Sequence, residues 1–306
     1  MILKPIPELE KIVKGILRYQ EPLSNHTTFR LGGPADIFIM PSSLDEIQEI
    51  VEFANCKSIP LHVIGMGSNL LISDEGLRGI VLKLASPLDN ISFEEEQVLV
   101  EAGAKCTRLI ADALKNQLIG LSFLSGIPGT IGGAIAMNAG TGGKAIGDIV
   151  QSVWLYDCVE RQNCILFPAD LNFAYRDSIF KKSDRYVILQ AKLTINPGNV
   201  DEEIKIIREK LTKRKLTQPL RYPNAGCIWK NPPGCSAGKL IEDLGLKGFR
   251  KGRARISELH ANFIVHQGKA KAQEVLELIY YIEEKVFQAY QIELEREIKI
   301  LGLFGF

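Results

Sequence analysis

Between Gly126 and Gly143 the chain reads "GIPGTIGGAIAMNAGTGG", with glycine at seven of eighteen positions. So little side-chain volume leaves the backbone itself as the working surface. Residues without a Cβ let amides approach a ligand, and a row of such amides forms an anion cradle suited to a pyrophosphate. A second segment, "GMGSNLL" at 65–71, directly follows a strand-like run. Two such loops point to a bound phosphate better than one does; the bland alternative is that the glycines only make tight turns in a compact sheet. Neither loop is a common phosphate carrier. Gly65-x-Gly67 lacks the third glycine of a dinucleotide fingerprint, and "LLISDEGLRGIV" after it does not read as helix. In "GTGGKA" Ala145 follows Lys144, so the magnesium-binding hydroxyl of a P-loop is missing.

Around these loops the pattern mixes helix and strand. "PSSLDEIQEIVEFANCKSIP" predicts a helix opened by a capping box, Ser43 with Glu46, burying Ile47, Ile50, Val51 and Ala54 and ended by Pro60. "LHVIG", "GIVLKL" and "QVLVEAGA" read as short buried strands, a β-α-β start. "CTRLIADALKNQLIG" predicts a second amphipathic helix with Leu109, Ile110, Ala113 and Leu114 inward and Gly120 near its C-cap. From Val150 to about Asn196, "VQSVWLYD", "CILFPA" and "RYVILQAKLTI" predict an antiparallel sheet. "NPGNV" is a break, followed by the charged helix "DEEIKIIREKLTKRK", a Pro-rich loop, a long helix "AKAQEVLELIYYIEEKVFQAY" and a closing strand "ELEREIKIL". A length of 306 residues favours two domains, expected here as an α+β domain over 1–199 and a smaller α+β domain over 200–306.

Charge and cysteine usage exclude several functions. With 37 basic against 36 acidic side chains, a net +1, no bulk field recruits nucleic acid or a membrane surface. The N-terminal stretch carries charges throughout and has no apolar core like that of a secretion signal, and no apolar run is long enough to span a bilayer, so a cytoplasmic protein is expected. Six cysteines without an export signal read as reduced thiols. There is no CxxC pair and the four histidines are scattered, so no metal site is expected.

Three residues raise chemical questions. Cys227 lies inside "YPNAGCIWKNPPG", and with disulfide and metal ligation weakened it remains a nucleophile, a proton donor or a small apolar filler. Arg176 in "NFAYRDSIF" reads on its own as a solvated charge or an ordinary ion pair. Glu297 in "LEREIKILG" alternates with Ile298 and Ile300, which places it with Glu295 and Lys299 on a solvent-facing strand face.

Six ordered segments, "LSNHTTFRLGGPA", "GMGSNLL", "SGIPGTIGGAIAMNAG", "FAYRDS", "PNAGCIWKNP" and "LEREIKILG", span nearly the whole chain and closely resemble the UDP-N-acetylenolpyruvoylglucosamine reductase family. The resemblance implies a vanillyl-alcohol-oxidase-like (PCMH-type) FAD-binding domain of two subdomains, a βαβ-containing one over about 20–85 and a larger α+β one over about 86–199. A C-terminal α+β substrate-binding domain would follow. Gly65, Gly67, Ser68, Asn69 and Leu70 would line the first FAD loop. Gly126, Pro128, Gly129, Thr130, Gly132, Gly133 and Asn138 would supply the second, with Tyr175 against the flavin or nucleotide. NADPH would reduce FAD, and the enolpyruvyl ether of UDP-N-acetylglucosamine would then accept a hydride from flavin N5 to give UDP-N-acetylmuramate, a peptidoglycan precursor. Hydride addition at the vinyl carbon develops charge on the adjacent carbon and its carboxylate, which calls for a cation near the carboxylate and an acid near the carbon.

On that resemblance Arg176 and Glu297 match the catalytic pair that polarises the carboxylate, and Cys227 falls where many members carry the serine that protonates the carbanion. An ordinary thiol, with a pKa near about 8.5, is mostly protonated at neutral pH and is a stronger acid than an alcohol, so the exchange is chemically mild. Asn231, Lys215 and His260 fall at substrate-binding positions. Only a few residues separate "FAYRDS" from "VILQAKL", so the extra loop with a substrate-covering tyrosine, found in one type of the family, is expected to be absent. The implied protein is a bacterial cytoplasmic monomer with a small-molecule substrate. Competing readings are an FAD-dependent oxidase of another small molecule and a non-catalytic flavin-binding protein.

Overall fold

A computed structural model describes residues 5–305; residues 1–4 and 306, the outer ends of the two expected domains, lie outside the described residues. In chain order the elements that matter for the site are β1 (Ile16–Pro22), β2 (Pro34–Met40), α1 (Leu44–Cys56), β3 (Leu61–Ile64), β4 (Leu70–Ile72), β5 (Leu77–Lys83), β6 (Ile91–Glu94), β7 (Gln97–Glu101) and α2 (Cys106–Lys115). There follow α3 (Ile131–Ala136), β8 (Val150–Asp157), β9 (Gln162–Leu166), β10 (Tyr186–Thr194), α4 (Val200–Thr217), α5 (Ala237–Asp243), β11 (Arg250–Lys251), β12 (Ala254–Ile256), β13 (Ile264–Val265), α6 (Ala272–Tyr290) and β14 (Lys299–Leu301).

The chain divides into two compact units that interleave in sequence: 1–19, 37–66 and 79–212 form the first, and 20–36, 67–78 and 213–306 the second. In the first unit α1 starts as predicted, with the Ser43 hydroxyl accepting from the Glu46 amide. The other half of the box is absent. Glu46 is 1% exposed, and its carboxylate accepts from the amides of Lys14, Gly15 and Ser42 and from the Ser42 hydroxyl. A buried carboxylate needs several donors, and one amide at the helix start supplies too few. Helix α2 buries Leu109, Ile110 and Ala113, while Leu114 is half-buried. Its cap is Asn116, followed by Gln117 in the left-handed region (φ 59°), so Gly120 is not the C-cap; its amide donates to the buried Glu203.

The predicted antiparallel sheet is present and larger than expected, in the order β9-β8-β10-β7-β6. Alternating side chains of β8 and β10, among them Val153, Leu155, Ala191 and Leu193, join Val98 and Val100 of β7 in one apolar core with α2 and α3. Strands β1-β2-β5-β3 form a second sheet, in which β3 and β5 pair in parallel, Leu61 opposite Ile80.

The second unit packs α6 and the three-stranded sheet β11-β12-β13 around Ala254, Ile256, Ile264, Ile279 and Ile282. Two backbone amides at the start of α6, of Ala272 and Gln273, are capped by the Asp74 carboxylate at 2.9 and 3.0 Å. The closing strand is shorter than the sequence suggests. Only Lys299–Leu301 is regular strand, parallel to Leu70–Ile72, and Arg296 makes an isolated bridge with Trp229.

Candidate active site

In the first unit Gly65 and the glycine segment that leads into α3 pack tightly. A Cβ on Gly65 would run into the Thr130 hydroxyl, so the end of β3 meets the start of α3 with no room for a side chain. Thr130 caps α3 by accepting from the Gly133 amide at 3.4 Å. Further stitches run from Ile131 N to Ala104 O (2.8 Å), Gly132 N to Ala102 O (2.9 Å) and Cys106 N to Gly129 O (3.1 Å). The first amides of α3 are thus satisfied by the chain itself. The open donors lie elsewhere: among the described residues the successive amides of Met66, Gly67, Ser68 and Asn69 make no backbone or side-chain hydrogen bond. Gly67 holds φ 62°, a left-handed conformation that glycine adopts without strain. Successive unpaired amides on a turn held open by glycine are a donor set that fits a diphosphate such as that of FAD. Gly126 is likewise left-handed (φ 73°), and Pro128 and Gly129 complete the turn into α3.

Arg176 is not a free surface charge. It sits at φ 54° in a tight turn closed by paired hydrogen bonds between Ala174 and Asp177 at 3.1 Å. Its guanidinium donates to Gly140 O (2.7 Å) and Asn138 O (3.5 Å) and stacks over the exposed Tyr175 ring, 5.5 Å from the centroid. Asn138 fixes that turn: its Nδ2 donates to Ala174 O (2.8 Å) and its Oδ1 accepts from Gly147 N (3.0 Å). The side-chain amide expected at the flavin is therefore engaged within the protein, and Ser178 Oγ adds a bond to Ala136 O at 2.7 Å.

In the second unit Cys227 is half-buried, at the end of a loop shaped by Asn224. Asn224 Oδ1 accepts from Gly226 N (2.9 Å), its Nδ2 donates to Tyr222 O (2.7 Å), and its carbonyl accepts from Thr28 Oγ1 (2.8 Å). The next residues pair with the C-terminal segment, Glu297 N to Ile228 O and Lys230 N to Glu295 O, both 2.8 Å. That pairing corrects the solvent-facing expectation for Glu297, which is half-buried and one paired residue away from Cys227. Asn69 joins them, donating from Nδ2 to Glu297 O (3.0 Å) and accepting from Lys299 N (2.9 Å), while Leu70 pairs with Lys299.

The other expected substrate residues differ in their settings. His260 is half-buried, and its Nδ1 accepts from Asn262 N at 3.2 Å. Burial first, and then Lys247, push its pKa down, against a smaller upward pull from Glu242. Asn231 is exposed and caps α5, accepting from Ala237 N at 3.1 Å. Lys215 is exposed on the last turn of α4 and makes no hydrogen bond or ion pair with the Cys227 loop among the described residues. Its neighbour Arg214, which sequence reading passed over, is half-buried and within charge reach of Cys227; burial lowers the guanidinium's pKa and a thiolate at Cys227 would raise it. The signal available in the sequence was only one more basic residue in a basic last turn.

Among the described residues no helix is long and apolar enough to cross a membrane, and no group of three or more His, Cys, Asp or Glu side chains is placed to hold a metal ion.

Both units find counterparts among known proteins. The model of the UDP-N-acetylenolpyruvoylglucosamine reductase C-terminal domain matches residues 218–301, and that of an FAD binding domain matches residues 35–162. The chain is 43% identical over 299 residues to UDP-N-acetylenolpyruvoylglucosamine reductase of Caldanaerobacter subterraneus subsp. tengcongensis, covering 97% of this chain and 98% of the relative. It is 40% identical over 302 residues to the Bacillus subtilis protein of that name, covering 98% of each. The crystal structure of UDP-N-acetylenolpyruvylglucosamine reductase from Thermus caldophilus aligns with a TM-score of 0.80 at 33% identity, over 94% of this chain and 100% of that one.

Proposed function

The chain belongs to the UDP-N-acetylenolpyruvoylglucosamine reductase family, and from that premise we propose that Arg176, Cys227 and Glu297 carry its chemistry. It is an FAD-containing oxidoreductase with a vanillyl-alcohol-oxidase-like FAD-binding fold, and it reduces the enolpyruvyl ether of UDP-N-acetylglucosamine with NADPH in peptidoglycan precursor synthesis. The observation that supports this most is the extent of the match, which runs through both units and nearly the full length of each relative.

Bound FAD would supply the hydride transfer from NADPH to the vinyl carbon, and the open amides of Met66–Asn69 are the groups that would hold its diphosphate. The protein's own part is electrostatic and acidic. Arg176, held by two carbonyls, supplies the positive charge for the substrate carboxylate. Cys227 donates the proton to the carbon next to that carboxylate. Glu297, whose backbone is locked to Ile228 and Asn69, stabilises the enol form either as a carboxylic acid that donates to the substrate carboxylate or through a neighbouring donor. Tyr175 lies against the flavin or nucleotide, and Asn231, Lys215 and His260 contact the UDP sugar. We further propose a two-domain division near residue 200 and a monomer working in the bacterial cytoplasm, without nucleic acid or membrane partners.

Anaerobic oxidation of NADPH by the FAD-loaded protein, with and without the enolpyruvyl UDP sugar, tests the reading. Oxidation beyond one flavin equivalent only when the sugar is present supports it. Turnover that ignores the sugar and is restored by oxygen would place the chain with the oxidases instead.

A further inference from the structure

Cys227 does not sit in a regular strand, yet a proton donor must be held to within a fraction of an ångström of its target. On one side its loop is shaped by Asn224 and on the other the chain pairs with the C-terminal segment, through Ile228 O, Lys230 N and the Trp229 bridge to Arg296. A strand paired along one edge leaves its opposite backbone groups without partners. No third strand lies along Ile228–Lys230 among the described residues; one side chain, helped by the carbonyl of its own residue, stands in its place.

That side chain is Asn262, 3% exposed between the buried Ala261 and Phe263. Its Oδ1 accepts from Ile228 N (3.1 Å) and Trp229 N (2.9 Å), and its Nδ2 donates to Trp229 O (2.8 Å). Its own carbonyl accepts from Ile228 N as well (2.9 Å), and its amide donates to His260 Nδ1 (3.2 Å). A carboxamide carries one acceptor and one donor group, like a peptide unit, and here it does the work of a neighbouring strand for two consecutive residues. Burying an amide among apolar side chains is costly unless its hydrogen bonds are made, and here the donor and the acceptor side are both used.

We propose that Asn262 is the positioning residue of the proton-donor segment: it fixes the backbone immediately after Cys227 and, through Ile228 O, the backbone of Glu297. It touches neither substrate nor flavin and acts through those two residues. The ring of His260 is set by the same residue, which puts three residues of the second unit in one frame. The inference rests on the reading of Cys227 as the proton donor, and its test separates the two.

Asn262→Asp keeps the acceptor for Ile228 and Trp229 but turns an oxygen toward Trp229 O, and Asn262→Ala removes all three side-chain bonds. In rapid-mixing experiments on FAD-loaded protein, flavin reduction by NADPH should stay within about twofold of wild type. Reoxidation of the reduced flavin by the enolpyruvyl UDP sugar should slow by roughly ten- to a hundredfold, the range expected for a misplaced reacting group. The solvent isotope effect on that phase should rise as proton delivery becomes limiting. Independently of catalysis, iodoacetamide labelling of Cys227, followed by mass spectrometry of its peptide, should change rate by several-fold in both variants. Unchanged labelling and reoxidation beside a lowered melting temperature would overturn the proposal and leave Asn262 as an ordinary core amide. Equal loss in both half-reactions would also overturn it. If Cys227→Ala reoxidises as fast as wild type, the proton-donor reading fails, and the labelling rate then decides by itself whether Asn262 sets the position of the thiol.

Discussion

Replacing Asn138 tests whether its side chain works for the protein or for the flavin. Asn138 is 7% exposed, sits at φ 44°, and bridges Ala174 O and Gly147 N. In Asn138→Gly both bridges vanish while the left-handed backbone stays comfortable. Ala174 is exposed and water can replace the lost donor there, at about 0.5 to 1 kcal/mol, whereas the half-buried Gly147 amide loses its acceptor at about 1 to 1.5 kcal/mol. The sum is about 2 kcal/mol, or roughly 3 °C in melting temperature for a chain of 306 residues. Asn138→Ala should lose about 1 kcal/mol more, because alanine tolerates the left-handed region less well than asparagine.

The functional consequence follows from the turn. With Ala174 released, the 174–177 turn is no longer tied to the loop whose carbonyls aim Arg176. Reoxidation of the flavin by substrate should therefore slow by about tenfold or more while bound FAD per protein is unchanged. Thermal unfolding, flavin content by absorbance and single-turnover kinetics on the two variants together check the reasoning. Variants as stable as wild type but depleted of FAD would refute it, since the Asn138 amide would then be a flavin contact and the bonds to Ala174 and Gly147 energetically idle.

Three further outcomes are expected. Cys227→Ser should stay active, whereas Cys227→Ala should lose about 10²-fold or more in flavin reoxidation with NADPH reduction nearly unchanged, both read by rapid mixing. Arg176→Ala should keep its FAD and lose the second half-reaction; release of flavin on desalting that variant would instead make the arginine structural. Burial alone would raise the pKa of Glu46, but hydrogen bonds from the Ser42 hydroxyl and the amides of Gly15, Ser42 and Lys14 outweigh it and hold the carboxyl below its usual value. The unfolded chain therefore takes up the proton first, so this stabilisation is complete above about pH 5 and fades as pH falls through the depressed value. Denaturant titrations at neutral and acid pH should show a smaller acid loss in Glu46→Gln than in wild type, and parallel losses would show that Glu46 is not the group responsible.

The regular elements were legible because their patterns are long. Helices α1 and α2, the antiparallel β8 and β10 and the long α6 all follow apolar spacing that repeats over several turns or pleats. Reading failed where one partner far off in sequence decides the outcome. The Ser43 half of the capping box is local and was visible; Glu46 is drawn instead to Lys14 and Gly15, about thirty residues away. Glu297 obeys strand alternation, yet only the remote Ile228 and Asn69 determine that it is half-buried. Arg176 looked like an isolated charge because the carbonyls that receive it, of Asn138 and Gly140, carry no side-chain signature at all.

The residues most easily misread are asparagines. Asn69, Asn138, Asn224 and Asn262 each bond to backbone beside a proposed acting residue: Glu297, the Arg176 turn, the Cys227 loop and the segment after it. In sequence, asparagine among glycines and prolines reads as a turn former, which explains its backbone shape but not its side chain. A catalytic loop that must bend away from regular pairing leaves peptide groups without a strand beside them, and water is a poor substitute in a half-buried site. A carboxamide supplies donor and acceptor together without charge; a carboxylate lacks the donor, and an alcohol has a single short reach. Irregular loops can therefore be as firmly held as strands, provided that such amides are bonded on both sides. This predicts that substitutions at these four asparagines will change the second half-reaction more than they change overall folding, in proportion to how many of their bonds end on the loop itself.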